Sequence, residues 1–421
     1  MVDFMLHDII TSQKKEIEKQ LTERYIPRDI SVGDISGDKL VRVITGPRRA
    51  GKSLFALHLL HQIGPFGYVN FDDERLTGVK DYDEILTSVD SVYGESEFLL
   101  LDEVQNLRKW ELFVNRLQRR GYHLVITGSN ANLLSSELAT HLTGRHIPLL
   151  LFPFSFREYL RVSGEDRTDV ENKAALRKYS DQGGFPEPLI YGINRSEYLG
   201  NLVNAVLYKD IVKRFRIRAV QGLGDLARYL FSNIAREYSF RTLAKVTNCK
   251  SHHTVEKYLR FLEEAFLFFS LRRFSFKVKE QTSSNKKIYC IDNGLVEASG
   301  FRVSPDRGRL YENLVAIELL KLASRNGTEI FFWRSPQQEE VDFVIKKGTA
   351  VVQLIQVSLN ISDPGTQKRE VRALIKASME LRCDDLLLLT EDLEEEKTME
   401  WLGNKRNIHF KPIWKWLVVE K

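Results

Sequence analysis

Gly46-Pro47-Arg48-Arg49-Ala50-Gly51-Lys52-Ser53 is the stretch that decides the fold. It matches GxxxxGK(S/T) in full, with the apolar segment LVRVIT (40–45) before it and LFALHLLHQI after it, a strand–loop–helix context. Glycines let backbone N–H groups curl around phosphates where larger residues would obstruct them, and the helix N-terminus adds a partial positive charge. All eight residues of the loop are therefore expected to cradle the phosphates of ATP. Lys52 should reach the β- and γ-phosphates and act in catalysis, and the Ser53 hydroxyl should bind Mg²⁺.

Three further stations follow along the chain. Phe98-Leu99-Leu100-Leu101-Asp102-Glu103 is an apolar strand ending in two acids, the Walker B arrangement. Asp102 is expected to hold Mg²⁺ through water, and Glu103 to polarise the attacking water as general base, the role that separates hydrolysis from binding. Leu124-Val125-Ile126-Thr127-Gly128-Ser129-Asn130 is a strand ending in polar residues, where Ser129 and Asn130 are candidates to orient that water; the plainer reading is a strand-to-loop turn. Arg145, in LTGRH (142–146), could offer its charge to a neighbouring copy's γ-phosphate, an effect typically worth ~10³–10⁵-fold, or could be a structural ion pair.

The segments 40–45, YVNF (68–71), 97–103, 123–128 and HIPLLLF (146–152) alternate with amphipathic helices, which implies a parallel sheet covered on both faces. The first 20 residues read as an amphipathic helix and not as a signal peptide. Residues 153–235 read mostly as helix, broken by GGFPEP (183–188), and serve either as a lid or as a linker.

Composition narrows the class. The apolar share is 43%, no run is long and apolar enough for a membrane span, and Cys249, Cys290 and Cys383 are scattered without CxxC spacing. A cytoplasmic protein without zinc, disulfides or membrane attachment is the expectation. The formal net charge is only +5, yet residues 209–287 carry 18 lysines and arginines against 7 acids, so the rest of the chain is net acidic. Such a stripe is a polyanion footprint, with DNA as the expected partner; a solvated face is the bland alternative.

GPRRAGKS, NFDDERL (70–76), LLLDEVQN, VITGSNANLL, LTGRHIPLLLFPFSFREYL, GGFPEP, YKDIVKRFRI and KIYCIDNGL occur in this order, and together they resemble the archaeal and bacterial AAA-type ATPases that carry a C-terminal domain of unknown function. The resemblance implies an α/β fold in four parts: an AAA+ P-loop core with its N-terminal helix (1–152), a helical lid or linker (153–235), a winged helix (236–300) and a restriction-endonuclease-like α/β domain (301–421). It also implies assembly into a ring, with a hexamer as the expected size, which would suit a trans-acting Arg145.

The residues of the last two parts support that outline. The spacing predicts a helix over 239–246, a turn at 248–250 and a helix over 251–262 with Ser251 as N-cap, followed by two basic strands. Lys257, Arg272, Arg273, Lys277, Lys279, Lys286 and Lys287 are the DNA-contact candidates. Further on, a PD-(D/E)xK nuclease core needs a helix acid (Glu312 or Glu318), an aspartate (Asp342) and an ExK strand; here the last reads Gln356-Val357-Ser358, so its carboxylate and lysine are missing and cleavage is not expected. The expected function is hydrolysis of Mg-ATP coupled to binding or remodelling of DNA, branched DNA included. The alternative is an ATP-dependent signalling or defence switch acting on a protein.

Overall fold

Five apolar segments form strands β1 (Val41–Thr45), β2 (Gly67–Asn70), β3 (Phe98–Asp102), β4 (His123–Gly128) and β5 (His146–Leu150). They pair in parallel in the order β2-β3-β4-β1-β5, with helices α1 (Val2–Thr22), α2 (Lys52–Ile63), α3 (Tyr82–Tyr93) and α4 (Trp110–Arg120) around them. Successive strand residues point to opposite faces, which explains why these strands are apolar throughout rather than alternating. Val41, Val43, Leu99 and Leu101 join Leu6, Ile9, Trp110 and Phe113 on one side, whereas Ile44, Leu100 and Val125 join Phe55, Leu57 and Leu60 on the other.

Two polar side chains complete this layer. Gln13 of α1 covers the edge strand β2, its amide accepting from Asn70 N at 3.0 Å and donating to Asn70 O at 3.1 Å. An otherwise open edge would expose unpaired backbone groups. Arg42, the one charged residue in β1, is fully buried; it donates to the carbonyls of Val32, Asp34 and Leu40 and pairs with Asp38, whose carboxyl it holds below its ordinary pKa.

The computed structural model describes residues 2–129, 142, 144–162, 164, 167–247, 249, 251–300 and 306–419. The sheet above belongs to a unit spanning Met1–Pro153 and Glu264–Phe266; the second unit comprises Phe154–Glu263 and Leu267–Lys421.

The second unit is organised by a nine-stranded sheet. Its strands are β6 (Arg236–Tyr238), β7 (Phe268–Arg273), β8 (Lys286–Cys290), β9 (Glu329–Arg334), β10 (Glu340–Lys347), β11 (Ala350–Val357), β12 (Leu386–Thr390), β13 (Glu395–Trp401) and β14 (Asn404–Pro412), in the order β13-β14-β12-β11-β10-β9-β7-β8-β6. One continuous sheet thus takes strands from both 236–290 and 329–412, joined where β7 runs parallel to β9. Phe331, Trp333, Leu386 and Leu388 face the helix Pro364–Leu381, while Phe332, Leu387 and Leu389 share the opposite cluster with Leu314, Val315 and Leu319 of the helix Arg307–Asn326.

The motif residues GGFPEP and IDNG meet inside this unit. Asp292 accepts from Gly184 N at 2.6 Å and from Gly294 N at 2.8 Å. Gly183 sits at φ 73°, and a Cβ there would fall 2.0 Å from Asp292 Oδ1. Beside it, Asn313 donates to Cys290 O at 2.9 Å and to Asn293 Oδ1 at 2.8 Å. Both motifs are accounted for by this buried clasp, since the groups they bury are matched donor to acceptor.

Candidate nucleotide site

The site forms at the carboxyl ends of parallel strands, where open α/β sheets place their ligands. β4 lies between β1 and β3, so three loops converge there: the phosphate loop after β1, Asp102 and Glu103 at the end of β3, and Ser129 just past β4.

The phosphate loop has the conformation its glycines permit. Gly46 adopts φ 149°, and a Cβ there would lie 1.9 Å from Leu151 O; Gly51 adopts φ 88° at the start of α2, and Arg49, between them, is also left-handed at φ 66°. Lys52 is buried, its Nζ donating to Gly46 O at 3.2 Å and to Pro47 O at 3.0 Å. These carbonyls keep the ammonium over the concave side of the loop. Arg28, from the segment ahead of β1, braces the loop from behind by donating to Ala50 O at 2.9 Å and to Phe152 O.

The acids are held by hydroxyls. Asp102 is buried and accepts from Ser53 Oγ at 2.8 Å, from Tyr68 OH at 3.1 Å and from Thr127 Oγ1. Burial, and secondarily the neighbouring Glu103, raise its carboxyl pKa, while the three hydroxyls oppose the rise. Glu103 is half-buried, at φ 49°; its N–H donates to Thr127 Oγ1 at 3.1 Å, and its Oε2 accepts from Ser129 Oγ at 3.0 Å and from Gln105 Nε2. Oε1 is the oxygen of Glu103 that these contacts leave for other partners. Ser53 Oγ and Asp102 Oδ1 form a pair of hard oxygen donors next to the loop, the chemistry Mg²⁺ takes when phosphates complete its shell. The residues present therefore fit Mg-ATP.

The other expected site residues fall elsewhere. Asn130 lies outside the described residues. Arg145 is exposed and immediately precedes β5. Val41 pairs with His146 and Thr45 with Leu150, so Arg145 sits at the end of the sheet opposite the phosphate loop, about 15 Å along the strand at ~3.3 Å per residue. Its backbone therefore stands remote from its own chain's phosphate loop.

Among the DNA-contact candidates, Lys257, Arg272, Lys277 and Lys279 are exposed, and Arg273 and Lys286 are half-buried. Arg272 and Lys286 are cross-strand partners on β7 and β8, Arg273 donates to Arg334 O at 2.5 Å, and Lys277 pairs with Glu280 at 3.0 Å. Lys287 is a correction: it is only 2% exposed and faces inward. Its neighbour Lys286 takes the outward position because strand side chains alternate, and a count of charges cannot distinguish the two.

Lys287 instead joins the residues read as a nuclease core. Its Nζ lies 3.0 Å from Glu312 Oε1, 2.5 Å from Glu340 Oε1 and 3.1 Å from Asp342 Oδ1. Of the two candidate helix acids, Glu312 reaches this centre, while Glu318 lies near Lys321 at 3.9 Å. Gln356 points away from it: its Oε1 accepts from Asp342 N at 3.0 Å and its Nε2 donates to Glu370 at 2.7 Å. A lysine and a second strand acid do reach the centre, but from β8 and from the start of β10 rather than from the ExK position.

Sequence reasoning missed Tyr68, Thr127, Gln105, Arg28 and Glu340 as parts of these centres. Thr127 was legible in principle, as the one hydroxyl within the apolar part of β4, and Gln105 lies inside the LLLDEVQN motif; Tyr68, Arg28 and Glu340 had no role assigned by any motif.

The sheet order and phosphate loop define a P-loop ATPase core, and residues 38–160 match the family described as AAA domain. Residues 173–304 and 307–404 match two families described as domains of unknown function, DUF8612 and DUF4143. The chain is 32% identical over 431 residues to the uncharacterized protein MJ1544 of Methanocaldococcus jannaschii, covering 98% of this chain and 95% of that one, and it belongs to that protein's family. It is 29% identical to an uncharacterized protein of Haemophilus influenzae, covering 81% of this chain and 87% of the relative. A solved structure described as the walker-type ATPase paby2304 of Pyrococcus abyssi aligns with 66% of this chain and 99% of its own, at 15% identity and a TM-score of 0.44. Among the described residues no helix is long and apolar enough to cross a membrane.

Proposed function

We propose that this chain hydrolyses ATP with Mg²⁺ and couples hydrolysis to the binding or remodelling of DNA. The observation that carries the first half is the hydrogen bond from Ser53 to Asp102, which brings the phosphate loop and the acidic strand end together. Lys52, held by Gly46 O and Pro47 O, exchanges those carbonyls for phosphate oxygens when nucleotide enters. Ser53 and Asp102 would hold the metal, which would supply positive charge to offset the charge that develops on the phosphates. Glu103 accepts a proton from the attacking water through Oε1, while Ser129 and Gln105 fix its orientation through Oε2. General-base assistance of this kind typically contributes ~10²–10⁴-fold. Arg145, remote from its own loop, acts in trans, which requires assembly of several copies, with a six-membered ring as the expected form.

The DNA half rests on residues 220–290. A helix Val220–Ser232, strand β6, helices Phe240–Val246 and His252–Glu264 and the ribbon β7–β8 follow one another, with strand order β6-β8-β7, an order that supports reading this part as a winged helix. Ser251 Oγ accepts from His253 N at 3.2 Å, as an N-cap would. Exposed Lys257, Arg272, Lys277 and Lys279 give it a phosphate-facing surface. The helix Arg307–Asn326, strands β9, β10 and β11, the helix Pro364–Leu381 and β12 run in the order of a restriction-endonuclease-like core, read here as a DNA-binding or assembly module without cleavage.

A protein-directed switch is the second reading, favoured by Phe276 and Val278, which are 69% and 76% exposed on the connection between β7 and β8. Phosphate release measured with duplex, single-stranded and four-way-branched DNA, at low and near-physiological salt, separates the two. Stimulation by one DNA form that weakens with salt supports the DNA machine; indifference to every DNA supports the switch.

A further inference from the structure

The centre around Lys287 joins residues distant in sequence. Three carboxylates, Glu312 from the helix Arg307–Asn326 and Glu340 and Asp342 from β10, converge on one ammonium from β8. The lysine side chain is 3% exposed, those of Asp342 and Glu312 7% and 13%, and that of Glu340 30%. We propose that the Lys287 ammonium is a built-in counter-ion occupying the position where these carboxylates would otherwise hold a divalent cation, and that it closes the centre to metal. The proposal is independent of ATP hydrolysis and of DNA binding.

Geometry carries it first. One oxygen from each carboxylate points at a common centre at 2.5–3.1 Å, the ammonium–oxygen range. Divalent cations draw oxygen ligands in to roughly 2.0–2.6 Å, so inward shifts of about 1 Å or less would convert an ammonium cradle into a metal cradle. Among the described residues no group of three or more His, Cys, Asp or Glu is disposed to hold a metal ion.

Charge and orientation point the same way. One ammonium against three carboxylates leaves the centre short of positive charge. The second oxygen of Asp342 accepts from Val357 N at 3.0 Å, and Tyr289 OH donates to Glu312 at 2.8 Å, so both acids are already oriented and pay little entropy to bind a cation. Removing one partner of a buried charged set leaves the rest uncompensated, and a divalent cation is the species that would restore the balance.

The test is Mn²⁺ binding to the full chain without nucleotide, read from the paramagnetic resonance of free Mn²⁺. Wild type, Lys287→Met and Lys287→Met/Asp342→Asn are compared, with circular dichroism reporting the fold. Lys287→Met is expected to bind one additional Mn²⁺ at least tenfold tighter than wild type, to melt at a higher temperature when Mn²⁺ is present, and to lose both gains when Asp342 is also replaced. A Lys287→Met chain that folds only with Mn²⁺ supports the proposal equally. Lys287→Met/Glu340→Gln, which removes one charge of each sign, is measured in parallel. The proposal is overturned if a folded Lys287 variant gains no site, if neither variant folds even with Mn²⁺, or if wild type already holds Mn²⁺ at a site that Asp342→Asn removes.

Discussion

Ser53 Oγ donates to Asp102 Oδ1 at 2.8 Å, joining the end of the phosphate loop to the end of a strand that is not its neighbour in the sheet. Because β4 lies between β1 and β3, this contact spans the strand that separates the two strand ends. Replacing Ser53 by Ala removes one hard oxygen donor while leaving the loop backbone intact. A hydrogen bond to a charged group is worth about 1.5–3 kcal/mol. Ser53→Ala is expected to lose roughly ten- to a hundredfold of the Mg²⁺-dependent part of ATP affinity, with Mg²⁺-free binding nearly unchanged. Titration of a fluorescent ATP analogue with and without Mg²⁺ measures both.

Ser129 acts through Glu103. Its hydroxyl orients one carboxylate oxygen at 3.0 Å and has no other assigned chemistry. Ser129→Ala is therefore expected to lower kcat about tenfold and to leave the Kd for ATP within a factor of two, from loss of one orienting hydrogen bond of about 1 kcal/mol or slightly more. A rise in KM at constant kcat would assign Ser129 to nucleotide binding instead.

The clasp of Asp292 on Gly184, beside Gly183, makes a stability prediction. A Cβ at Gly183 would meet Asp292 Oδ1 at 2.0 Å, on a backbone at φ 73° that side chains disfavour. Gly183→Ala is expected to destabilise the chain by about 2–4 kcal/mol, combining a left-handed backbone cost with a displaced buried carboxylate. Gly192, at φ 65° with nothing within 4 Å of its Cβ, is the control: Gly192→Ala carries only the backbone cost, about 1–2 kcal/mol. Urea unfolding of the two variants distinguishes them.

Glu312 gives the chain a pH dependence. Burial first, and then the charge of Asp342, push its carboxyl up to about 8, against the opposing influence of Lys287 and Tyr289. A carboxyl whose folded pKa exceeds its unfolded value binds its proton more tightly in the fold. Its stabilising effect is present below about pH 4.5, declines as pH rises, and is lost above about pH 8. The slope is at most about 1.4 kcal/mol per pH unit inside that window. Melting temperature should fall from pH 5 to pH 8.5, and Glu312→Gln should flatten that fall. A melting temperature of wild type that rises across the window would contradict the assignment.

The candidate nucleotide site was legible where its chemistry lies in consecutive residues. The phosphate loop and Asp102-Glu103 could be read directly, because a strand, a turn and a helix N-terminus must follow one another in the chain. Tyr68 and Thr127 could not be read this way, since they reach Asp102 from two other strands and only the sheet order brings them there. The excess of lysine and arginine over 209–287 drew Lys286 and Lys287 together as surface residues, yet strand alternation sends one outward and the other into a buried carboxylate cluster. The missing lysine of the ExK strand likewise hid a lysine arriving from β8. Arg42 is the same lesson in small: an arginine inside a strand reads as a flaw until the carbonyls that receive it are seen.

The most direct test of the central claim is steady-state phosphate release from Mg-ATP by wild type and by Glu103→Gln, with ATP affinity measured on both. Release by wild type, with the variant binding ATP normally but turning over at least a hundredfold more slowly, is the predicted result. Equal release by the two proteins, or ATP binding by wild type with no release alone or with any DNA, would contradict ATP hydrolysis at this site.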